Sequence, residues 1–181
     1  MIKLRAKGNR FLPLFLNRMM KLVSFLFVSS LLFSCATAPE IETYILSATV
    51  QQNFIRPSIM KNASLVTEID FTVRSEKDEI TKVVVNFSIR KNKAALEQLE
   101  QASFILDNNE IVQFTEIAPL FIDRNNNVSR YSSTISPVHF KTLIQQRNPL
   151  LRLVLKSKTY DFMPTSQFMT QLRGAETQYI Y

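Results

Sequence analysis

Two stretches in the middle of the chain alternate between apolar and polar positions. In residues 65–73 and again in residues 83–89, nearly every second position carries a large apolar side chain. This period of two residues is typical of β-strands with one buried face. The polar stretch 75–79 between the two runs is typical of a turn. The pattern therefore predicts a long antiparallel hairpin whose other face, which includes Glu68 and Asp70, is exposed to solvent.

Three polar stretches in the C-terminal half interrupt apolar runs of strand length. Each is rich in Asn, Asp, Lys or Ser, and several of these residues favour tight turns. Strands joined by such turns form antiparallel hairpins. The stretches are Asp107–Glu110 between runs 104–106 and 111–114, Asp123–Asn127 before a strand at 128–135, and Lys156–Thr159 between runs 150–155 and 160–163.

Two internal segments have the apolar spacing of helices. Residues 91–101, with Asn92 as a possible N-cap, predict a short surface helix or turn. Ser136 and Pro137 are residue types preferred at the cap and first position of a helix, and apolar residues at helical spacing follow them. We therefore expect a second helix to begin here.

The end of the chain predicts one more helix. Thr165 or Ser166 is a suitable cap, and Gly174 is a typical stop signal. The Tyr179–Tyr181 tail that follows is expected to form either a last edge strand or a frayed end.

These elements together predict a mainly β fold that borders on α+β. Hairpins between sequence neighbours favour an antiparallel β-sandwich-like domain over residues 44–181, with two or three short peripheral helices. Apart from Gly8, Gly174 is the only glycine. Glycine-rich phosphate loops therefore cannot be assembled, because they need glycine where the backbone approaches phosphate closely.

The N-terminal part of the chain has the layout of a signal peptide. Lys21 precedes an apolar run from Leu22 to Phe33. That run is shorter than the roughly 20 residues that a membrane-spanning helix needs. We therefore assign residues 1–34 to a removable leader. We expect translation of the natural protein to start at Met19 or Met20 within it.

The end of this run, Leu32-Phe33-Ser34-Cys35, resembles the lipobox of bacterial lipoprotein precursors. The resemblance implies that the Cys35 thiol receives a diacylglyceryl group and that the Ser34–Cys35 bond is cleaved. Residues 35–43 would then be a lipidated tether, and several acyl chains give stable membrane anchoring. In this family an aspartate after the cysteine often retains the product at the inner membrane, so Ala36 favours delivery to the outer membrane.

Ordinary secretion is the alternative interpretation of the leader. The small residues Ala36-Thr37-Ala38 could form a signal-peptidase site. Pro39 would then follow the cleaved bond, a position where signal peptidases generally tolerate proline poorly. The lipoprotein interpretation is therefore preferred.

Net charge and cysteine content exclude several classes of protein. The chain has a net charge of +7, but six of its 22 basic residues and none of its 15 acidic residues precede Cys35. The mature chain is nearly neutral and lacks the basic surface of a nucleic-acid-binding protein. With Cys35 as the only cysteine, an intramolecular disulfide and a thiolate-rich metal site are impossible.

Candidate catalytic and metal-binding residues are few. His139 is the only histidine, and we expect it to be a solvated helix residue. Glu68 and Asp70 share a strand face, as a pair of acid and base groups could, but ordinary surface carboxylates are the simpler interpretation. The Asp123–Asn127 stretch offers oxygen ligands for calcium, although an Asn-rich turn explains it better. No catalytic residue, metal site or cofactor is predicted.

The sequence therefore predicts a lipid-anchored, non-enzymatic protein of the cell envelope. Its partners would be the membrane, through Cys35, and another envelope protein, with no nucleic acid. Two alternatives remain open, namely a periplasmic carrier of small apolar ligands and a hydrolase of envelope polymers.

Overall fold

The computed structural model describes residues 41–91, 99–123, 125–156 and 158–181. The predicted leader, Cys35 and most of the tether lie outside these residues. The described part belongs to one compact unit. Within it the strands are β1 (Ile41–Ile45), β2 (Val50–Lys61), β3 (Leu65–Glu76), β4 (Glu79–Lys91), β5 (Leu99–Ile105), β6 (Ile111–Gln113), β7 (Thr115–Asp123), β8 (Val128–Ile135), β9 (Leu150–Leu155) and β10 (Lys158–Pro164), and the helices are α1 (Pro137–Ile144) and α2 (Ser166–Tyr179).

The strands form a single antiparallel sheet that is nearly closed. Their order is β6-β5-β9-β10-β2-β3-β4-β8-β7, and β1 adds to the free part of β2. The strands at the two ends of this order, β6 and β7, are consecutive in the chain and are separated only by Phe114. The sheet must therefore curve until its ends come together. The prediction of a mainly β, antiparallel domain with few helices is confirmed, and one continuous sheet supplies both of its walls.

Strand β2 changes partner along its length. Residues 51–55 pair with β1, whereas Met60 and Lys61 pair with β10. A bulge between Ile55 and Ser58 separates the two parts, and bulges of this kind bend a strand. The bend is therefore the point at which the sheet passes from one wall to the other.

The long central hairpin is present as predicted, with a shorter turn than expected. Strands β3 and β4 pair from Leu65↔Lys91 to Glu76↔Glu79. The apolar row predicted for the core is buried on both strands. Lys77 and Asp78 form the turn with φ of 49° and 67°, so both adopt left-handed backbone. Two such residues match the twist of a two-residue hairpin turn.

The core inside the sheet consists largely of aromatic rings. Phe71 of β3 lies 6.2 Å from the ring of Phe104 on β5, so the two walls meet at this contact. The rings of Phe140 in α1 and Phe168 in α2 lie 5.7 and 6.4 Å from Phe71. Both helices therefore pack on the inner side of the sheet.

Both helices begin where the sequence predicts. The Ser136 hydroxyl accepts the backbone N–H of His139 at 3.1 Å, and Pro137 occupies the first turn. The Thr165 hydroxyl accepts the backbone N–H of Phe168 at 3.3 Å and donates to the carbonyl of Ile59 at 2.6 Å. The second cap therefore also fixes the start of α2 to β2.

Two helix predictions are wrong at their ends, and Lys91, the first residue of one of them, is the last residue of β4. Leu99–Gln101 is the start of strand β5 rather than the end of a helix, because these residues pair with β9 and pairing overrides local propensity. Residues 92–98 of that predicted helix lie outside the described residues.

The last helix does not stop at Gly174. It continues to Tyr179, so the predicted edge strand or frayed end is replaced by helix up to that residue. A glycine inside a helix costs only about 1 kcal/mol relative to alanine. Fully buried Ala175 and the ring contact of Tyr179 with Phe140 at 5.8 Å offset that cost.

Burial also affects the ionisation of Tyr179. Removal from water raises the pKa of the Tyr179 hydroxyl to about 12, and the nearby Asn53 side chain opposes this rise. The two groups do not meet hydrogen-bond geometry, and among the described residues neither the Tyr179 hydroxyl nor Asn53 Oδ1 has a partner. The end of α2 is therefore held by packing rather than by polar contacts.

Replacement of Phe71 by alanine should destabilise the protein by about 3–5 kcal/mol. The cavity would lie where the two sheet walls and the two helices meet. Exposed Lys82 on β4 is the matched control, and Lys82→Ala should change the free energy of unfolding by less than about 0.5 kcal/mol. Urea unfolding followed by circular dichroism measures both. Equal stability of the two variants would contradict the assigned core.

Candidate functional site

The most distinctive polar group of the described structure lies on the outer face of strands β3, β4 and β8. The Asp70 side chain on β3 has 0% exposure, although its neighbours on that face are polar. Its Oδ1 accepts a hydrogen bond from Asn86 Nδ2 on β4 at 2.8 Å. Its Oδ2 accepts one from the Arg130 guanidinium on β8, which also donates to Ser88 Oγ at 3.0 Å. We call Asp70, Asn86, Ser88 and Arg130 the outer polar cluster.

The sheet register brings the cluster together. Asp70 lies opposite Asn86, and Ser88 lies opposite Arg130. The ion pair therefore runs diagonally across three adjacent strands. The Arg130 side chain keeps 25% exposure, so it covers Asp70 while one side remains in contact with solvent.

The geometry gives this cluster a structural role. Both oxygens of Asp70 already accept hydrogen bonds, one from Asn86 and one from the Arg130 guanidinium. The Asp70 side chain is also fully buried beneath Arg130, so a substrate cannot reach it directly. The cluster is suited to fixing three strands in register rather than to chemistry on a substrate.

The expectation that Glu68 and Asp70 are both surface carboxylates is therefore half right. Glu68 is partly exposed, whereas Asp70 is fully buried. The sequence gives no sign of this difference, because Arg130 is 60 residues away and only the order of the strands makes it a neighbour. The basic residue at an outward position of β8 is the one local signal that could have indicated a partner.

The other candidate residues are separate from this cluster. Partly buried His139 lies in the first turn of α1, where its backbone N–H donates to the Ser136 cap. Asp123 accepts the backbone N–H groups of Asn125 and Asn126 at 2.9 and 3.1 Å and the Asn126 side chain at 2.7 Å. These bonds, above all the Asn126 side chain, lower the pKa of Asp123. The predicted Asn-rich turn is confirmed, and its carboxylate is used to form the turn.

A second surface feature is the exposed edge strand β7. Leu120, Phe121 and Ile122 are 55%, 50% and 53% exposed, and they follow Ala118 and Pro119 without an intervening charge. Such a run predicts a buried strand, yet here most of its side-chain surface is in contact with solvent. Contiguous exposed apolar residues mark interaction surfaces more often than isolated ones do.

The backbone of β7 is poorly suited to strand addition. Register shifts occur between Thr115 and Ala118 and between Pro119 and Phe121, and Glu116 has a φ of 53°. Proline and bulges are devices that protect sheet edges from pairing with other chains. Any partner of this edge would therefore bind through the side chains rather than through a backbone ladder.

Comparison with known proteins assigns no family. Neither protein-family models nor curated proteins nor solved structures give a significant match to this chain. In the part of the chain that the structure describes, no helix is both long and hydrophobic enough to cross a membrane. The same part contains no group of three or more His, Cys, Asp or Glu side chains placed to hold a metal ion.

Replacement of Asp70 by alanine should cost about 3–5 kcal/mol of folding free energy, because Arg130 and Asn86 lose their acceptor inside the structure. The double variant Asp70→Leu/Arg130→Met should be more stable than Asp70→Leu alone, since no buried charge is then left unpaired. Urea unfolding of the set, with Glu68→Ala as the control on the same strand face, measures these differences. If Asp70→Ala were as stable as Glu68→Ala, the structural role of the cluster would be refuted.

Proposed function

We propose that the protein is a lipid-anchored component of the bacterial cell envelope and acts as a non-enzymatic binding module. The anchor is a diacylglyceryl group on Cys35, added before cleavage of the Ser34–Cys35 bond, and the destination is the outer membrane. The observation that carries the proposal is the lipobox-like stretch Leu32–Cys35 at the end of a Lys-led apolar run. The first described strand begins six positions later, at Ile41.

The structure supports a binding module over the two alternatives. A carrier of apolar ligands needs interior space, whereas fully buried rings fill the inner side of this sheet, among them Phe71, Phe104 and Phe168. A hydrolase needs an accessible acid, base or nucleophile. The Asp70 carboxylate is fully buried beneath Arg130 and is therefore out of direct reach of a substrate.

The exposed edge of β7 is the surface that we assign to a protein partner. Glu116 is exposed and Asp123 is partly exposed, and they bracket the apolar residues Leu120–Ile122. A complementary partner is an envelope protein with an apolar groove and basic residues at its ends. A partner of this kind would cover the apolar side chains and pair with exposed Glu116, whereas the Asp123 carboxylate accepts hydrogen bonds within its own turn.

Lipidation should be detected by metabolic labelling with a fatty acid. The wild-type protein should take up label and stay with the membrane fraction, because each buried methylene of its anchor contributes about 0.8 kcal/mol. Because Ala36 follows the cysteine, this fraction should be the outer membrane. The Cys35→Ala variant should take up none. Label on that variant would contradict the anchor, whereas exclusive recovery in the inner membrane would contradict only the destination.

The partner surface should be detected by site-specific photo-crosslinking in intact cells. A photoreactive residue in place of Phe121 should give a discrete protein adduct, and the same residue in place of Val138 on α1, which is 72% exposed, should not. A second substitution, Leu120→Ser, should reduce the adduct formed at position 121. Ile111→Ser, at an exposed β6 position, is the matched control and should leave that adduct unchanged. Equal crosslinking from both sites, or from neither, would refute β7 as the contact surface.

A further inference from the structure

Four neighbouring strands carry alternating apolar and basic residues at one level of the outer face. Met163 of β10 lies opposite Lys61 of β2. Lys61 in turn faces Val66 of β3, and Val66 faces Arg90 of β4. Met163 is 52% and Val66 39% exposed, and both basic residues are exposed. We call these four residues the basic-apolar row, and Ile59, 38% exposed, extends its apolar part along β2.

The charges of the row are available for an external partner. Neither Lys61 nor Arg90 forms an ion pair with any of the described residues. Asp161, two residues before Met163, is engaged by Arg152 at 2.7 Å, which lowers the pKa of Asp161. Glu68, two residues from Val66 on the same face of β3, is a partly exposed acid. Its single negative charge is smaller than the combined positive charge of Lys61 and Arg90.

The composition of the row fits one kind of surface. Unpaired cations attract anionic phospholipid headgroups, and each contributes about 1 kcal/mol near such a surface. Exposed apolar side chains between the cations can enter the boundary between headgroups and acyl chains. A protein partner with only apolar surface would leave Lys61 and Arg90 unpaired, and a purely acidic one would leave Met163 and Val66 without apolar contact.

The short tether places this face within reach of the membrane. From Cys35 to Ile41 the chain advances six positions, which span at most about 20 Å when fully extended. Ile41 lies opposite Ile55 on β2, and Lys61 is six positions further along the same strand, or about 20 Å. The domain cannot move far from an anchor at Cys35, so the faces near Ile41 stay close to the bilayer.

The other exposed apolar patches suit an anionic surface less well. The edge of β7 has acidic residues at both ends, Glu116 and Asp123. The tip at Tyr44–Leu46 lies beside the β3–β4 turn, because Lys77 donates its backbone N–H to Thr49 at 2.9 Å. Three basic and three acidic residues balance there, so this tip has no net attraction for an anionic surface. They are Arg74, Glu76, Lys77, Asp78, Glu79 and Lys82.

We propose that the basic-apolar row is the face by which the anchored domain lies on an anionic lipid surface. The proposal rests on the lipid anchor proposed above, and it adds the orientation of the domain. The partner edge β7 is the second strand beyond β4, which carries Arg90, and β8 lies between the two.

The test uses the full-length protein reconstituted in vesicles of phosphatidylcholine with or without phosphatidylglycerol. A thiol-reactive fluorophore is attached at Met163→Cys or, as the control, at Val138→Cys on α1. Quenching by a nitroxide on the lipid headgroup should be strong at position 163 and weak at position 138. Quenching at position 163 should be lost without phosphatidylglycerol and in the double variant Lys61→Gln/Arg90→Gln. It should persist in the control variant Lys141→Gln/Lys158→Gln, which removes two exposed charges elsewhere.

The outcomes separate the face from the anchor. A lipidated Cys35 does not react with the fluorophore, so equal quenching at the two positions in a lipidated protein would overturn the face and leave the anchor intact. Reaction of Cys35 itself would show that the anchor has failed. Sedimentation of that unlipidated chain with phosphatidylglycerol vesicles then decides the face. Binding lost only in Lys61→Gln/Arg90→Gln would support it, and equal binding of all variants, or none, would overturn it.

Discussion

The ring contacts of Phe71 hold the architecture together. This side chain touches one ring from the opposite wall of the sheet, one from α1 and one from α2. The curved sheet encloses a core because side chains on its two walls meet, and both helices pack on that core. The hydrophobic effect acting through a few aromatic side chains therefore sets the curvature, the closure and the positions of both helices.

The residue before Phe71 specifies the register from the other side of the same strand. Asp70 points outward into the polar cluster while Phe71 points into the core, and both are fully buried. A shift of one residue would exchange the two faces. It would bury the carboxylate among aromatic rings and expose the ring, so two independent penalties oppose it. Buried polar groups that fix register in this way add specificity even where they add little stability.

Regular patterns were predictable from the sequence, and distant pairings were not. The apolar rows of β3 and β4 and the caps at Ser136 and Thr165 depend on local spacing, which the sequence displays directly. The burial of Asp70 depends on a strand 60 residues later in the chain. Leu99–Gln101 shows the same limit, because helical spacing gave way to pairing with β9. The exposure of the apolar run in β7 follows from a place at the end of the sheet order that no local pattern encodes. Cys35 was proposed from a motif alone and lies outside the described residues.

The junction of β2 with β10 has a consequence for how the domain folds. The side chain of Asn62 donates to the backbone carbonyl of Asp161, 99 residues away, beside the two residue pairs that join these strands. Closing a loop of that length carries an entropic cost that must be met before the contacts form, and non-local pairing of this kind slows folding. The central hairpin can form as soon as its own residues are available. The enclosed core, in contrast, has to wait for Phe168, so a growing chain stays open until nearly all of the domain has been synthesised.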